Sequence, residues 1–160
     1  MAIPLSNDQV LWLRLHAQRL VPRQHATVAD LVQALCGIQA QDARAAALAL
    51  RVRSSGLVAG DVEQARIQDR TIIRTWGPRN TLHLLATADL GWLLPLLGPV
   101  FIASSKRRRS ALGLDEDTCG KGMRIIRNAL AKQGPLTRAE LVEQLAIHGV
   151  TIAGQARPYL

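Results

Sequence analysis

The sequence is poor in aromatic residues and in cysteine, and both shortages narrow the possibilities. Phe, Trp and Tyr make up 3% of its 160 residues, so the core must be built mainly from Leu, Ile, Val and Ala. The two cysteines, Cys36 and Cys119, show no paired metal-ligand spacing, and so few thiols favour an intracellular compartment. The N-terminus lacks the basic segment and apolar run of a secretory signal. We therefore expect a cytoplasmic protein with no metal site.

Long hydrophobic runs are absent as well. The longest uncharged stretch, residues 91–105, contains Pro95, Gly98 and Pro99. A bilayer crossing takes about 20 apolar residues, and a proline inside a helix kinks or ends it. We expect Pro95 to break this run and the protein not to enter a membrane.

Charge is present in excess of one sign. Lys and Arg number 20 against 12 Asp and Glu, giving a formal net charge of +8, while 48% of the residues are hydrophobic. A folded, basic chain favours a polyanionic partner, nucleic acid first and an anionic membrane second; a soluble protein that is merely basic is the alternative. The sharpest cluster, Lys106-Arg107-Arg108-Arg109, can neutralise phosphates as a block or form a solvated loop.

The first part of the chain has the order of a helix-turn-helix unit. Ser6 and Gln9 form a capping box for a helix reaching about Leu20, Thr27 caps a short helix over 28–35, and Asp42 opens an Ala-rich helix. On this third helix Leu48 and Val52 can face a core. Arg44 and Arg51 lie seven residues apart and can share another face.

Two β-like runs follow, 71–76 and 81–85, joined by the turn-forming Gly77-Pro-Arg-Asn80. A hairpin after a helix-turn-helix is the wing of a winged helix. Arg74, Arg79 and His83 are its candidate groove or phosphate contacts. The alternative is that both arginines are solvated edge charges and that His83 is a packed, hydrogen-bonded core residue.

The second part repeats the helical pattern. Asp115 opens a helix, and Thr137 and Glu140 form another capping box. Gly154 and Pro158 fall where a further helix would begin. We therefore predict a mainly α fold with a small β-hairpin, a winged helix-turn-helix at the start of a tandem array. Residues 1–98 form the first winged-helix unit with its following helix, and residues 99–160 form connecting helices and an incomplete, truncated second unit.

Gln39-Ala40-Gln41 is the pattern that carries chemistry. Residues two apart point to the same side of extended backbone but lie about 200° apart on a helix. We expect 38–41 to be a turn or extended link, with Asp42 as the N-cap of the next helix. The two amides either cooperate in a site or are a polar turn that satisfies backbone groups. Asp42 could assist, although its position favours capping.

Five blocks taken together resemble the bacterial winged-helix DNA glycosylases of the AlkZ type. They are Leu-Cys-Gly-Ile-Gln-Ala-Gln-Asp at 35–42, Leu-Ala-Leu-Arg at 48–51, Arg-Thr-Trp at 74–76, Thr-Leu-His-Leu at 81–84 and Leu-Gly-Trp-Leu-Leu-Pro at 90–95. The resemblance covers nearly the whole chain but only the N-terminal part of the family's architecture. It implies that Gln39 and Gln41 are catalytic, that alkylated or crosslinked purines are removed from double-stranded DNA by N-glycosidic hydrolysis, and that no cofactor or metal is needed. Gly77-Pro78-Arg79-Asn80 departs from the family's pattern at the hairpin tip.

Two neutral amides suit such a reaction for a physical reason. Glutamine cannot act as an ordinary general base, but two amides can hold one water against C1′ of the nucleotide. An N7-alkylated guanine is cationic and leaves as a neutral base, so positioning alone can suffice. The expected protein is a monomeric, monofunctional DNA glycosylase. The alternatives are a non-catalytic winged-helix DNA-binding or regulatory protein, an inactive truncated fragment, and a basic module that docks on another protein.

Overall fold

The computed structural model describes residues 4–151. The chain divides into two units, Met1–Pro99 and Val100–Leu160. The predicted mainly helical fold with a small β component is confirmed. Its helices are α1 Asn7–Ala17, α2 Val28–Ala34, α3 Ala43–Arg51, α4 Ala59–Ile67, α5 Leu90–Ala111, α6 Glu116–Gln133 and α7 Arg138–Ile147, and its strands are β1 Ile38–Gln39, β2 Ile72–Gly77 and β3 Thr81–Ala86.

The three strands form one antiparallel sheet in the order β1-β3-β2. The predicted hairpin is confirmed, with pairing from Ile72↔Ala86 to Gly77↔Thr81. Its tip is a short 3-10 turn, in which Arg79 and Asn80 adopt left-handed φ angles of 59° and 55°. Asn tolerates this conformation, whereas Arg rarely adopts it.

The core of the first unit lies between the sheet and helices α2, α3 and α4. On α3 the buried pair is Ala46 and Leu50, whereas Leu48 and Val52 are 55% and 48% exposed. The prediction that Leu48 and Val52 face the core was wrong. A shift of two residues turns a helix by about 200°, and hydrophobicity alone could not reveal the buried face because Ala46, a small residue, is one of its two members.

Helix α1 begins where its capping box predicted. The Ser6 hydroxyl accepts from the Gln9 amide at 3.2 Å, and Gln9 Oε1 accepts from the Ser6 amide at 2.8 Å. The helix ends at Ala17 rather than near Leu20, and Arg19 has a φ of 55°. Within the described residues α1 buries none of its side chains. Helix α1 therefore adds no fully buried side chain to the first core.

Helix α5 corrects the expectation of a broken run. It continues for 22 residues with Pro95 and Pro99 inside it. Pro95 cannot donate to the carbonyl of Gly91, but Gly91 is exposed and water can satisfy that carbonyl. The span Thr87–Ala111 has a mean hydropathy of 1.3 and is 11% buried in its most apolar window, so by length and composition it is sufficient to cross a membrane. The absence of membrane contact stays a prediction.

In the second unit the predicted caps are present. Asp115 accepts from the Thr118 amide at 2.7 Å, Gly134 ends α6 with a φ of 78°, and Thr137 and Glu140 form the capping box of α7. Leu114, Leu145 and Val150 form its buried hydrophobic cluster. The further helix expected around Gly154 and Pro158 lies outside the described residues.

The burial pattern of α3 yields a paired test. Leu50→Ala should lower the free energy of unfolding by about 2–5 kcal/mol, because a fully buried side chain is lost and a cavity remains. Leu48→Ala on the same helix should change it by roughly 0.5 kcal/mol or less, since Leu48 faces solvent. Urea denaturation of both variants measures the difference. Equal losses would contradict the assigned core face.

Candidate active site

The Gln39-Ala40-Gln41 link is extended, as predicted. Ile38 and Ala40 are buried while Gln39 and Gln41 are exposed, the alternation of a strand. β1 pairs with β3 through Ile38↔Leu84 and Gln39↔His83. The first half of the link, Ile38–Gln39, is thus an edge strand of the sheet, which the sequence did not reveal, and both glutamines are exposed.

The two glutamines have different surroundings. The Ala40 amide donates to the Leu82 carbonyl at 2.7 Å. The Leu82 amide, in return, donates to Gln41 Oε1 at 3.0 Å. The Gln41 side chain thus takes the place of a backbone carbonyl in the ladder and keeps its NH₂ group to donate. The Gln39 side chain has no hydrogen-bond partner among residues 4–151.

Arg74 explains why a side-chain oxygen, and not the Ala40 carbonyl, accepts the hydrogen bond of the Leu82 amide. Its Nε donates to the Ala40 carbonyl at 2.8 Å, and its Nη2 donates to the Gln41 carbonyl at 3.0 Å. A guanidinium donates in a rigid fork, and a charged donor makes a stronger bond than a neutral one. Arg74, predicted to contact DNA, here fixes the backbone on both sides of the second glutamine.

Asp42 ends the link and starts α3. Its Oδ1 accepts from the amides of Arg44 at 2.7 Å and Ala45 at 3.0 Å. The bond from Ala45, then that from Arg44, and the charges of Arg44 and Arg74 hold the pKa of Asp42 below its ordinary value. Its predicted capping role is confirmed, and an ionised, amide-bound carboxylate is poorly suited to proton transfer.

His83 is a largely buried residue of β3. It is 6% exposed, and its Nδ1 lies 2.9 Å from the Thr81 carbonyl. A β-carbon at Gly77 would lie 2.9 Å from this ring. Burial of the ring fits the alternative of a packed, hydrogen-bonded histidine. The groove or phosphate contact expected of His83 stays a prediction.

The remaining predicted DNA contacts are surface cations on both units. Arg44, Arg51 and Arg79 are exposed in the first unit. In the second, the basic cluster is the last part of α5 and not the solvated loop given as the alternative. Lys106 pairs with Glu116 at 2.8 Å, and Arg109 donates to the Ile102 carbonyl and the Ser105 hydroxyl. Arg107 and Arg108 are exposed.

A rival site would need other groups, and the described residues offer few. No cluster of three or more metal-ligating side chains occurs in the part of the chain that the structure describes. A cleft of about 760 Å³ beside α2 and α4 is lined by Asp30, Asp61 and Asp69. Asp30 and Asp61 accept from the backbone amides of Thr27 and Val58. This cleft contains neither Gln39 nor Gln41, and its carboxylates would repel phosphate.

Sequence reasoning missed three members of the site. The Leu82 amide, the space at Gly77 and the backbone clamp of Arg74 all depend on strand register. Arg74 and Gly77 had been noticed, but as a groove contact and as a turn residue. The one feature of the sequence that could have pointed to these contacts was the Thr81-Leu-His83 run of the hairpin.

Known proteins place this geometry in context. A family model described as DNA glycosylase AlkZ-like matches residues 32–158. A curated relative, the interstrand DNA cross-link repair glycosylase of Streptomyces sahachiroi, is 35% identical over 89 residues, which are 56% of this chain and 24% of the relative. The solved structure of the Streptomyces sahachiroi DNA glycosylase AlkZ superposes with a TM-score of 0.76 at 29% identity, covering 91% of this chain and 38% of that one.

This chain thus spans about a quarter to two fifths of the length of these relatives. Since the family model covers most of its residues, including both glutamines and the hairpin, the chain belongs to the AlkZ-like family of DNA glycosylases.

Proposed function

We propose that this chain carries the base-excision site of a DNA glycosylase that acts on alkylated or crosslinked purines in double-stranded DNA. The observation that supports it most directly is the Gln39–Gln41 pair, in which both residues are exposed on a link that Arg74 and Leu82 hold in place. The names of the family and of both relatives support the same activity. The first unit acts as a winged helix, with β2 and β3 as the wing, in a monomeric cytoplasmic protein.

Catalysis in this proposal is positioning of one water. The amides place the water oxygen against C1′, where a bond forms as the C1′–N9 bond breaks and the water gives up one proton. The bonding electrons move onto the base, which leaves neutral because alkylation at N7 had made it cationic. Holding reactants in a near-attack geometry can lower a barrier by roughly 7–11 kcal/mol. A normal base would leave as an anion and would need an acid that two amides do not supply.

The two glutamines divide this work. Gln41 Oε1 is engaged by the Leu82 amide, so Gln41 contributes its NH₂ group as a fixed donor. Gln39 keeps both its carbonyl and its NH₂ group for water, sugar or phosphate. Gln39 is therefore the principal water-binding side chain, and Gln41 is the second one.

DNA is held by the surface cations. Arg44 and Arg51 on α3 and Arg79 at the wing tip lie in the unit that carries the glutamines, and Lys106, Arg107, Arg108 and Arg109 add charge on α5. Each phosphate contact releases counterions, so affinity falls steeply with added salt. Because phosphates carry no lesion information, these contacts serve damaged and intact DNA alike.

One observation favours a second function. Gln41 satisfies a backbone amide, as a polar turn in a non-catalytic DNA-binding protein would. Such a protein would bind DNA through the same cations but would release no base. The assay below separates the two functions.

Gln39→Ala should reduce release of N7-methylguanine from methylated duplex DNA by about 100-fold or more, because the water loses its principal ligand. Single-turnover release measures it, and fluorescence anisotropy should give an unchanged DNA affinity. Gln68→Ala, an exposed glutamine beyond α4, is the matched control and should behave as wild type. Base release that survives Gln39→Ala would favour the non-catalytic reading of the pair.

Arg74→Met separates a backbone clamp from a phosphate contact. Loss of both hydrogen bonds should let the link shift and slow base release by roughly 10- to 100-fold. The slope of log affinity against log salt should stay as in wild type. A slope smaller by about 1 with an unchanged release rate would instead identify Arg74 as a phosphate ligand.

Arg107→Ala should show the reverse pattern. Arg107 is exposed and has no partner within residues 4–151, so its guanidinium is available to a phosphate. Affinity for methylated and unmethylated duplexes should fall equally, and the salt slope should decrease by about 1. The release rate at saturating protein should not change. Arg66→Ala, where the guanidinium pairs with Glu63 at 2.6 Å, is the control expected to leave the slope intact.

A further inference from the structure

His83 is a buried titratable side chain that the two-glutamine mechanism leaves unused. Its Nδ1 lies 2.9 Å from the carbonyl oxygen of Thr81 and 3.5 Å from the Thr81 hydroxyl, which donates its own proton to the Pro78 carbonyl. A carbonyl only accepts, so Nδ1 must carry the proton. In the neutral ring the other nitrogen, Nε2, is then a bare acceptor. The hairpin thus selects one tautomer of this imidazole.

Strand register places that imidazole beside Gln39. The Ala40 amide donates to the Leu82 carbonyl, so residues 40 and 82 are of the hydrogen-bonded kind. The next pair, Gln39↔His83, is then of the non-hydrogen-bonded kind, in which Cα atoms are about 4.5 Å apart and side chains come closest. Paired residues point to the same face of a sheet, so Gln39 and His83 share the outer face.

The environment holds the ring but leaves Nε2 unused. Gly77 provides the space on the Nδ1 side, and a β-carbon at Gly37 would lie 3.8 Å from His83 Cδ2 on the other. Within the described residues Nε2 has no hydrogen-bond partner, and Ser54 Oγ is the buried side-chain polar atom there that lacks one. Nε2 is therefore not sealed in the core; it is an unpaired acceptor of a residue that shares its sheet face with Gln39.

We propose that His83 is the proton acceptor of the reaction, and this rests on the proposed glycosylase function. Gln39 and Gln41 hold the water, and its oxygen bonds to C1′ as the C1′–N9 bond breaks. The electron pair of that bond neutralises the cationic base. The proton of the attacking water passes to His83 Nε2, and solvent later removes it. This supplies the base that neither glutamine nor the capping carboxylate of Asp42 provides.

Two variants separate proton acceptance from packing. His83→Asn keeps a donor near the Nδ1 position, whereas His83→Gln places an amide near the Nε2 position; neither accepts a proton at neutral pH. Both should slow single-turnover release of N7-methylguanine by roughly 100-fold or more, with DNA affinity unchanged. His148→Gln is the matched control, because its Nδ1 contacts the Gln144 carbonyl at 2.8 Å in the other unit, and it should retain the wild-type rate.

A second measurement does not depend on activity. Long-range ¹H–¹⁵N spectra of the histidine rings should show His83 protonated at Nδ1 and bare at Nε2, and thermal melting should show both variants folded. A bare Nδ1 would overturn the proposal even if base release fell.

The outcomes also distinguish the proposed role of His83 from the proposed glycosylase function on which it rests. If the wild-type protein releases base and His83→Gln releases it at a rate within threefold of wild type, the glycosylase function stands but proton transfer to His83 is rejected. His83 would then only orient the water. No release by wild type under any condition would reject both. Slow release by both folded variants, with the control unaffected, supports the assignment.

Discussion

The arrangement depends on one guanidinium donating to two consecutive carbonyls. Arg74 takes the carbonyl of Ala40 away from the sheet, and the Leu82 amide that would have bonded to it turns to the side chain of Gln41. One charged side chain therefore stops the β1–β3 ladder at a defined residue and orients an amide there. The strand ends at that point, and the Asp42 cap starts α3 immediately afterwards. Without the clamp, the link could pair one residue further and its exposed side chains would have no fixed direction.

Much of this could be predicted from short patterns because short-range chemistry dictates it. The caps at Ser6, Thr27, Asp42, Asp115 and Thr137 each satisfy amides two or three residues away, and all are present as predicted. The extended link and the hairpin follow from residue spacing and turn residues in the same way. Local hydrogen bonds leave their signature within a few letters of sequence.

What could not be predicted depends on which distant residues meet. The elements packed against α3 determine which of its faces is buried, and Ala46 is too small for its hydrophobicity to mark that face in the sequence. Pro95 was expected to break α5, but the carbonyl it leaves without a partner faces solvent, and so the helix continues. Arg74 and His83 were recognised as functional types, yet register turned one toward the backbone and buried the other. The residue types indicated which chemical groups are present, but only the strand pairing shows where their side chains point.

Gly77 has a consequence for how this hairpin can vary. Its φ of −133° is open to any residue, so no backbone strain demands glycine there. The demand is spatial, since a methyl group at this position would lie 2.9 Å from the imidazole of His83. A side chain can therefore enter position 77 only if the ring of His83 moves or is replaced. A relative that keeps the histidine in this rotamer must therefore keep glycine at the position opposite Thr81, so that a ring on β3 decides which residue β2 can carry there.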